Sequence, residues 1–195
     1  FCIILLYALK SKFYTTRKNF IFLILSSFVT LILVIYSTVN RPDAGLYHLP
    51  YISIINDSKI IIGASNIHFR FGHVSIIQYL SAVNLNSIFG DKGIVLPLAS
   101  LISFFYIYFF YDLFKIIKGK EINKASGYFS LFVSIYIVYK ISRYSGFGND
   151  AVAHLSFFYL ISYVLKNRIN KLNINKLLLI STFIFINKVT LIFSF

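Results

Sequence analysis

Between Phe20 and Val39 the chain has no charged side chain. A bilayer's hydrocarbon core is about 30 Å thick, and a helix needs about 20 mainly apolar residues to cross it. A run of that kind therefore constrains the fold more than any motif here. It also recurs. Gly93–Phe114 is equally apolar apart from Asp112, and Ser126–Ser142, Ala151–Leu165 and Asn175–Phe195 follow, with Phe1–Leu9 at the start. Across the chain 58% of residues are hydrophobic and 13% charged, against about 25% charged in an ordinary soluble domain. Too little polar surface remains to cover a single globular core. Intrinsic disorder, which needs low hydrophobicity, is excluded. A basic nucleic-acid binder is excluded too, because its Lys and Arg would form a surface patch rather than separate apolar runs. The expected fold is an all-α polytopic membrane protein: a transmembrane helix bundle with spans near 1–9, 20–39, 93–114, 126–142, 151–165 and 175–195. It forms one domain over 1–195. The chain has no Met and opens and closes inside apolar runs, so it reads as a fragment.

The formal net charge of +13 becomes informative once it is sorted by connection. Loops 10–18, 115–124 and 166–176 hold twelve of the nineteen Lys and Arg residues. They alternate along the chain with loops 40–92 and 143–150. Short basic loops stay cytoplasmic, so these three face the cytoplasm and the other two lie outside. The long outer loop contains Phe71–Ile88, where Ser75, Gln78, Ser81 and Asn84 recur at three-residue spacing opposite apolar neighbours. That pattern predicts a helix lying in the membrane interface, apolar face to the lipid.

Chemistry-bearing residues collect on the outer side. In Arg41–Pro50, a short helix opened by Asn40 and Pro42 and ended by Pro50 puts Asp43 and Tyr47 on one face, with His48 beside them. A surface carboxylate beside an imidazole suits proton removal from a hydroxyl, although Asp43 is equally suited to capping the helix. In Gly63–Gly72, alternation puts Asn66, His68 and Arg70 on one side, an arrangement fit for phosphate or sugar hydroxyls or for a half-buried strand edge. Gly148-Asn149-Asp150 lacks the ending of a phosphate loop and reads as a turn and cap, or as part of the site. Lys188 lies about 17 Å into its apolar run at 1.5 Å per residue. An intramembrane Lys is costly and calls for a partner; Asp150, Asp43 and a lipid phosphate are the candidates. No two histidines stand four apart beside a carboxylate, and Cys2 is the lone cysteine, so neither a metal site nor a cofactor is expected.

Taken together, Asp43-x-x-x-Tyr47-His48-Leu49, the Gly63/Asn66/Arg70/Gly72 stretch, Gly148-Asn149-Asp150 and Lys188 resemble the GT-C class of membrane-embedded glycosyltransferases. More narrowly, they look like a related group of bacterial multispanning proteins found among cell-surface polysaccharide functions. The resemblance covers about 20–195. It implies transfer of a sugar from a polyprenyl-phosphate donor to a glycan or lipid acceptor on the outer face of the bacterial inner (plasma) membrane. Membrane lipids would then surround the chain, and nucleic acid would play no part. By the same resemblance Asp43 is the catalytic base, Arg70, Lys188 and His48 stabilise the leaving phosphate, and Asn149 and Asp150 hold donor or acceptor. Many members carry adjacent acids where this chain has Asp43-Ala44. A transporter or flippase, or a non-catalytic assembly protein for lipid-linked glycans, is the alternative.

Overall fold

A computed structural model describes residues 17–36, 42–58, 61–72, 75–119, 123–144, 147–167 and 171–194. The expected span 1–9, most of loop 10–18, and the Asn40 cap lie outside these residues. All the regular structure among the described residues is helical. We number the α-helices α1 (Arg17–Tyr36), α2 (Leu49–Ser58), α3 (Ile76–Asn84), α4 (Leu96–Ile117), α5 (Lys124–Tyr144), α6 (Asp150–Lys166) and α7 (Lys171–Asn187). One helical run, Gly90–Ile117, is long and apolar enough by itself to cross a membrane; Phe20–Tyr36 and Ile174–Asn187 are apolar but shorter. Serines, tyrosines and basic residues dilute α5, and α6 has only 17 residues.

The central element is α4, which packs against α1, α3, α5 and α6. It begins cleanly because Pro97 stands in the first turn, where its missing N–H would have no partner anyway. Just before it, a Cβ on Gly93 would collide with the Asn84 carbonyl, so glycine there lets the end of α3 lie against the start of α4. Leu98, Ile102, Phe105 and Phe109 of α4 pack with Leu33, Val133, Ile137, Val152 and Leu155 to form the main core. A second apolar cluster, built on Tyr51, Ile52, Ile55, Phe71 and Ala82, holds the outer segment together, and Phe147 packs against both.

Polar cross-links fix how the helices run. Thr30 and Ser103 hydroxyls lie 2.6 Å apart between α1 and α4. Lys166 pairs with Asp112, bringing the last residues of α4 and α6 to one end. At the other end Lys188 reaches Asp150, joining the end of α7 to the start of α6. The Asn123 amide, just before α5, donates to the Leu165 carbonyl at 2.9 Å. The chain direction thus alternates through α4, α5, α6 and α7.

Outside these apolar cores, many large apolar side chains face outward while several small polar ones are buried. Ser75, Gln78 and Ser81 of the α3 segment are buried while Leu80 and Val83 are exposed. In α5, Ser126, Ser130 and Ser134 are buried at successive four-residue steps, and Tyr128, Phe132, Ile135 and Tyr139 face out. Small residues at such spacing let helices approach closely.

Three expectations need correction. The run 175–195 is not one helix: α7 stops at Asn187 and a 3-10 turn, Val189–Ser194, follows. Lys188 therefore sits at the helix end, because the buried Asn187 is held there by partners on α3 and α6. Residues 63–72 are not extended. Gly63 adopts φ 80°, open to glycine at little cost, and two 3-10 turns follow, Ala64–Asn66 and Phe69–Gly72. Pro50 does not end its helix; a wide π-turn, Ala44–His48, runs into α2. Proline cannot donate an i→i−4 bond, and the widened turn relieves the clash with its ring.

Candidate functional site

At the Lys188 end of the bundle lies a hollow of about 750 Å³. One wall is the outer segment: Asp43, Ala44, Tyr47 and His48 on the π-turn, then Phe69 and Arg70 on the second 3-10 turn. The facing wall is the bundle: Tyr136, Lys140 and Arg143 of α5, Phe147 to Ala151, His154 of α6, and Lys188. Gln78 of α3 lies between them.

The π-turn sets the outer wall. It keeps Asp43 and Tyr47 on the hollow while turning His48 inward, half buried. Arg70 Nη1 donates to Tyr47 Oη at 2.9 Å, and its guanidinium lies over the Tyr47 ring at 4.5 Å. Burial raises the Tyr47 phenol above its usual range, with Asp43 adding to the effect. Burial also pushes His48 below the usual imidazole range, outweighing the pull of Asp43 and Asp150 in the opposite direction. His48 is thus a neutral imidazole near neutral pH. The Gln78 amide lies at a long 3.5 Å from its Nδ1.

Asn187 holds the bundle wall in register. Its side chain is fully buried; Oδ1 accepts from Ser75 Oγ at 2.8 Å and from the Ile77 amide at 3.4 Å. Nδ2 donates to the Phe183 carbonyl at 2.9 Å. The Asn187 carbonyl in turn accepts from Asn149 Nδ2 at 2.8 Å. The neighbours of these two asparagines, Lys188 and Asp150, are consequently brought together at 2.6 Å.

Of the residues singled out from sequence, Asp43, Tyr47, His48, Arg70, Asn149, Asp150 and Lys188 line this one hollow. Asn66 and His68 do not. Asn66 is exposed on the first 3-10 turn. His68 stacks on Phe69 at 4.9 Å and on Tyr47 at 6.1 Å, and accepts from the Arg70 amide at 3.3 Å. The period-2 alternation that grouped them with Arg70 fails because the segment is helical. Sequence reasoning did not place Lys140, Arg143 or His154 in the site, and it named Gln78 only as part of the polar face of its helix. Lys140 and Arg143 stand three apart at the end of an apolar run, a spacing that puts them on one helix face.

These observations define an all-helical domain with apolar outer faces and a polar hollow, rich in cations, at one end. The chain belongs to the family described as Domain of unknown function (DUF8201), whose model matches residues 2–195. No curated protein and no solved structure matches it.

Proposed function

We propose that this chain belongs to an integral membrane glycosyltransferase that uses a polyprenyl-phosphate sugar donor on the non-cytoplasmic face, in the synthesis of cell-surface glycans of bacteria. The single observation that carries this reading is the hollow of about 750 Å³, where a carboxylate, Asp43, has Arg70 on its own wall and faces Lys140, Arg143 and Lys188 on the other. The many outward-facing apolar side chains support a polytopic membrane bundle, since outward Leu, Ile and Phe are favourable in lipid and costly in water.

In this reading the Asp43 carboxylate takes the proton from an acceptor hydroxyl. The acceptor oxygen forms a bond to the anomeric carbon, the carbon–phosphate oxygen bond breaks, and its electron pair leaves with the phosphate. Arg70, Lys188 and the neutral His48 would stabilise that leaving group by charge and hydrogen bonding. Asn149 and Asp150 would position donor or acceptor.

The test is Asp43→Asn in the full-length protein, assayed for transfer from a labelled polyprenyl-phosphate sugar. Loss of a general base costs about 10²–10⁴-fold in rate, and we expect that loss at unchanged expression. Retained transfer would remove Asp43 from the mechanism. Movement of labelled lipid across the membrane with no new glycosidic bond would instead identify a transporter.

A further inference from the structure

We infer that the anion subsite of the hollow is formed by Lys140 and Arg143, on the last turns of α5, and that it takes a phosphate group. This rests on the transferase reading for what the phosphate is attached to, and replaces Arg70 and Lys188 as its chief ligands. Both of those cations already have partners within the protein. Arg70 is hydrogen-bonded to Tyr47 Oη at 2.9 Å and lies over two aromatic rings. Lys188 is paired with Asp150 at 2.6 Å. Among the described residues, no carboxylate lies within ion-pair distance of Lys140 or Arg143, although the Lys140 ammonium lies over the Tyr139 ring at 4.7 Å.

The helix face the two residues occupy is a second argument. A helix C-terminus favours cations, by about 0.3–1 kcal/mol each, which accounts for their place near the end of α5 but not for the face they occupy. Beside them Val138, Tyr139 and Ile141 are exposed, Tyr139 at 75%, while Lys140 is half buried, and both it and the more exposed Arg143 line the hollow. A lysine with no role there would extend fully to solvent or lipid headgroups.

Their distribution adds independent support. On the transferase reading this is the non-cytoplasmic end, where Lys and Arg are depleted. Five described cations lie on that side: Arg70, Lys92, Lys140, Arg143 and Lys188. All except Lys92 converge on this hollow. Two cations three residues apart on a helix, neither held by a carboxylate, match the charge of a phosphate ester, and a guanidinium can bind two of its oxygens at once. That places the phosphate against the bundle wall and leaves the space toward Asp43 and Tyr47 for the group it carries.

The experiment is equilibrium binding to the full-length protein in mild detergent, with farnesyl phosphate and inorganic phosphate as separate probes. We expect Lys140→Gln/Arg143→Gln to weaken binding of the preferred probe by at least about tenfold, with the thermal midpoint unchanged. Arg143→Gln alone should give a smaller loss, and serves if the double variant fails to fold. Lys115→Gln/Lys118→Gln, at the opposite end, should bind as the parent does. Preference for farnesyl phosphate would identify a lipid carrier and equal affinity a free phosphate; both support the subsite. Unchanged binding in both α5 variants, or an equal loss in the Lys115/Lys118 variant, would overturn it. Asp43→Asn separates this from the transferase reading: a protein that never transfers sugar yet binds phosphate through Lys140 and Arg143 refutes the first claim and keeps the second.

Discussion

Two lysine–aspartate pairs sit at opposite ends of the same bundle, and they do different things. Lys166 with Asp112 is closed in: the Asp112 side chain is 5% exposed, and the Lys166 ammonium also donates to Tyr108 Oη at 2.6 Å and lies over its ring. Lys188 with Asp150 is open, with Asp150 at 47% exposure on the wall of a hollow. The first pair joins α4 to α6 with its polar atoms turned on one another. The second leaves lone pairs and protons facing a space that a ligand can fill. An ion pair in this fold therefore gains its role from its surroundings, not from its chemistry.

Truncating the closed pair should have the largest effect. Asp112→Ala leaves a largely buried ammonium without its counter-charge, and breaking such a pair costs about 3–5 kcal/mol. Thermal unfolding of the purified protein in detergent would show this as a large drop in midpoint. Asp112→Leu/Lys166→Met, which removes both charges and keeps the volume, should recover most of it.

The corresponding change at the open end should be mild. Lys188→Met removes a partner from a half-exposed pair, and pairs of that kind contribute at most about 1 kcal/mol to stability. On the proposed transferase reading its main effect should appear in transfer of the sugar, because it leaves an unbalanced Asp150 facing the donor's phosphate. If Lys188→Met destabilised the protein as much as Asp112→Ala, the distinction between a closed structural pair and an open functional one would collapse.

The open pair was legible in the sequence, and the closed one was only half visible. Lys188 stands in an apolar run, where an unpaired charge is so costly that a partner must exist, and Asp150 at a helix start was among few candidates. Asp112 and Lys166 each looked like ordinary span-end residues, since nothing in a sequence says that two ends coincide in space. The helices were readable because long apolar runs separated by short basic connections leave few alternatives to packed helices. Short-range geometry was not. Ten residues from Gly63 to Gly72 fit a period of two as well as a 3-10 helix, and only the positive φ at Gly63 decides between them. Asn187 looked like one more residue of a helix. Its role as the hinge of the site comes from Ser75, more than a hundred positions away.

His48 provides the smallest effect and the most local one, since it senses the open end alone. Burial holds its pKa below the ordinary imidazole value of 6.5, against the pull of Asp43 and Asp150 and with a small contribution from Arg70. The folded protein thus binds this proton less readily than the unfolded chain does. Its contribution to stability is fully present above the unfolded value and is lost as pH falls from there through the lowered folded value. Thermal midpoints measured downward from neutral pH should fall across that window, and His48→Gln, which cannot titrate, should flatten the slope. The same substitution should leave the penalty for Asp112→Ala unchanged, because the two sites lie at opposite ends and share no partner. A His48→Gln variant with the parent's full acid slope would mean that the imidazole is open to water, and the hollow would then lack the dry wall on which its electrostatics depend.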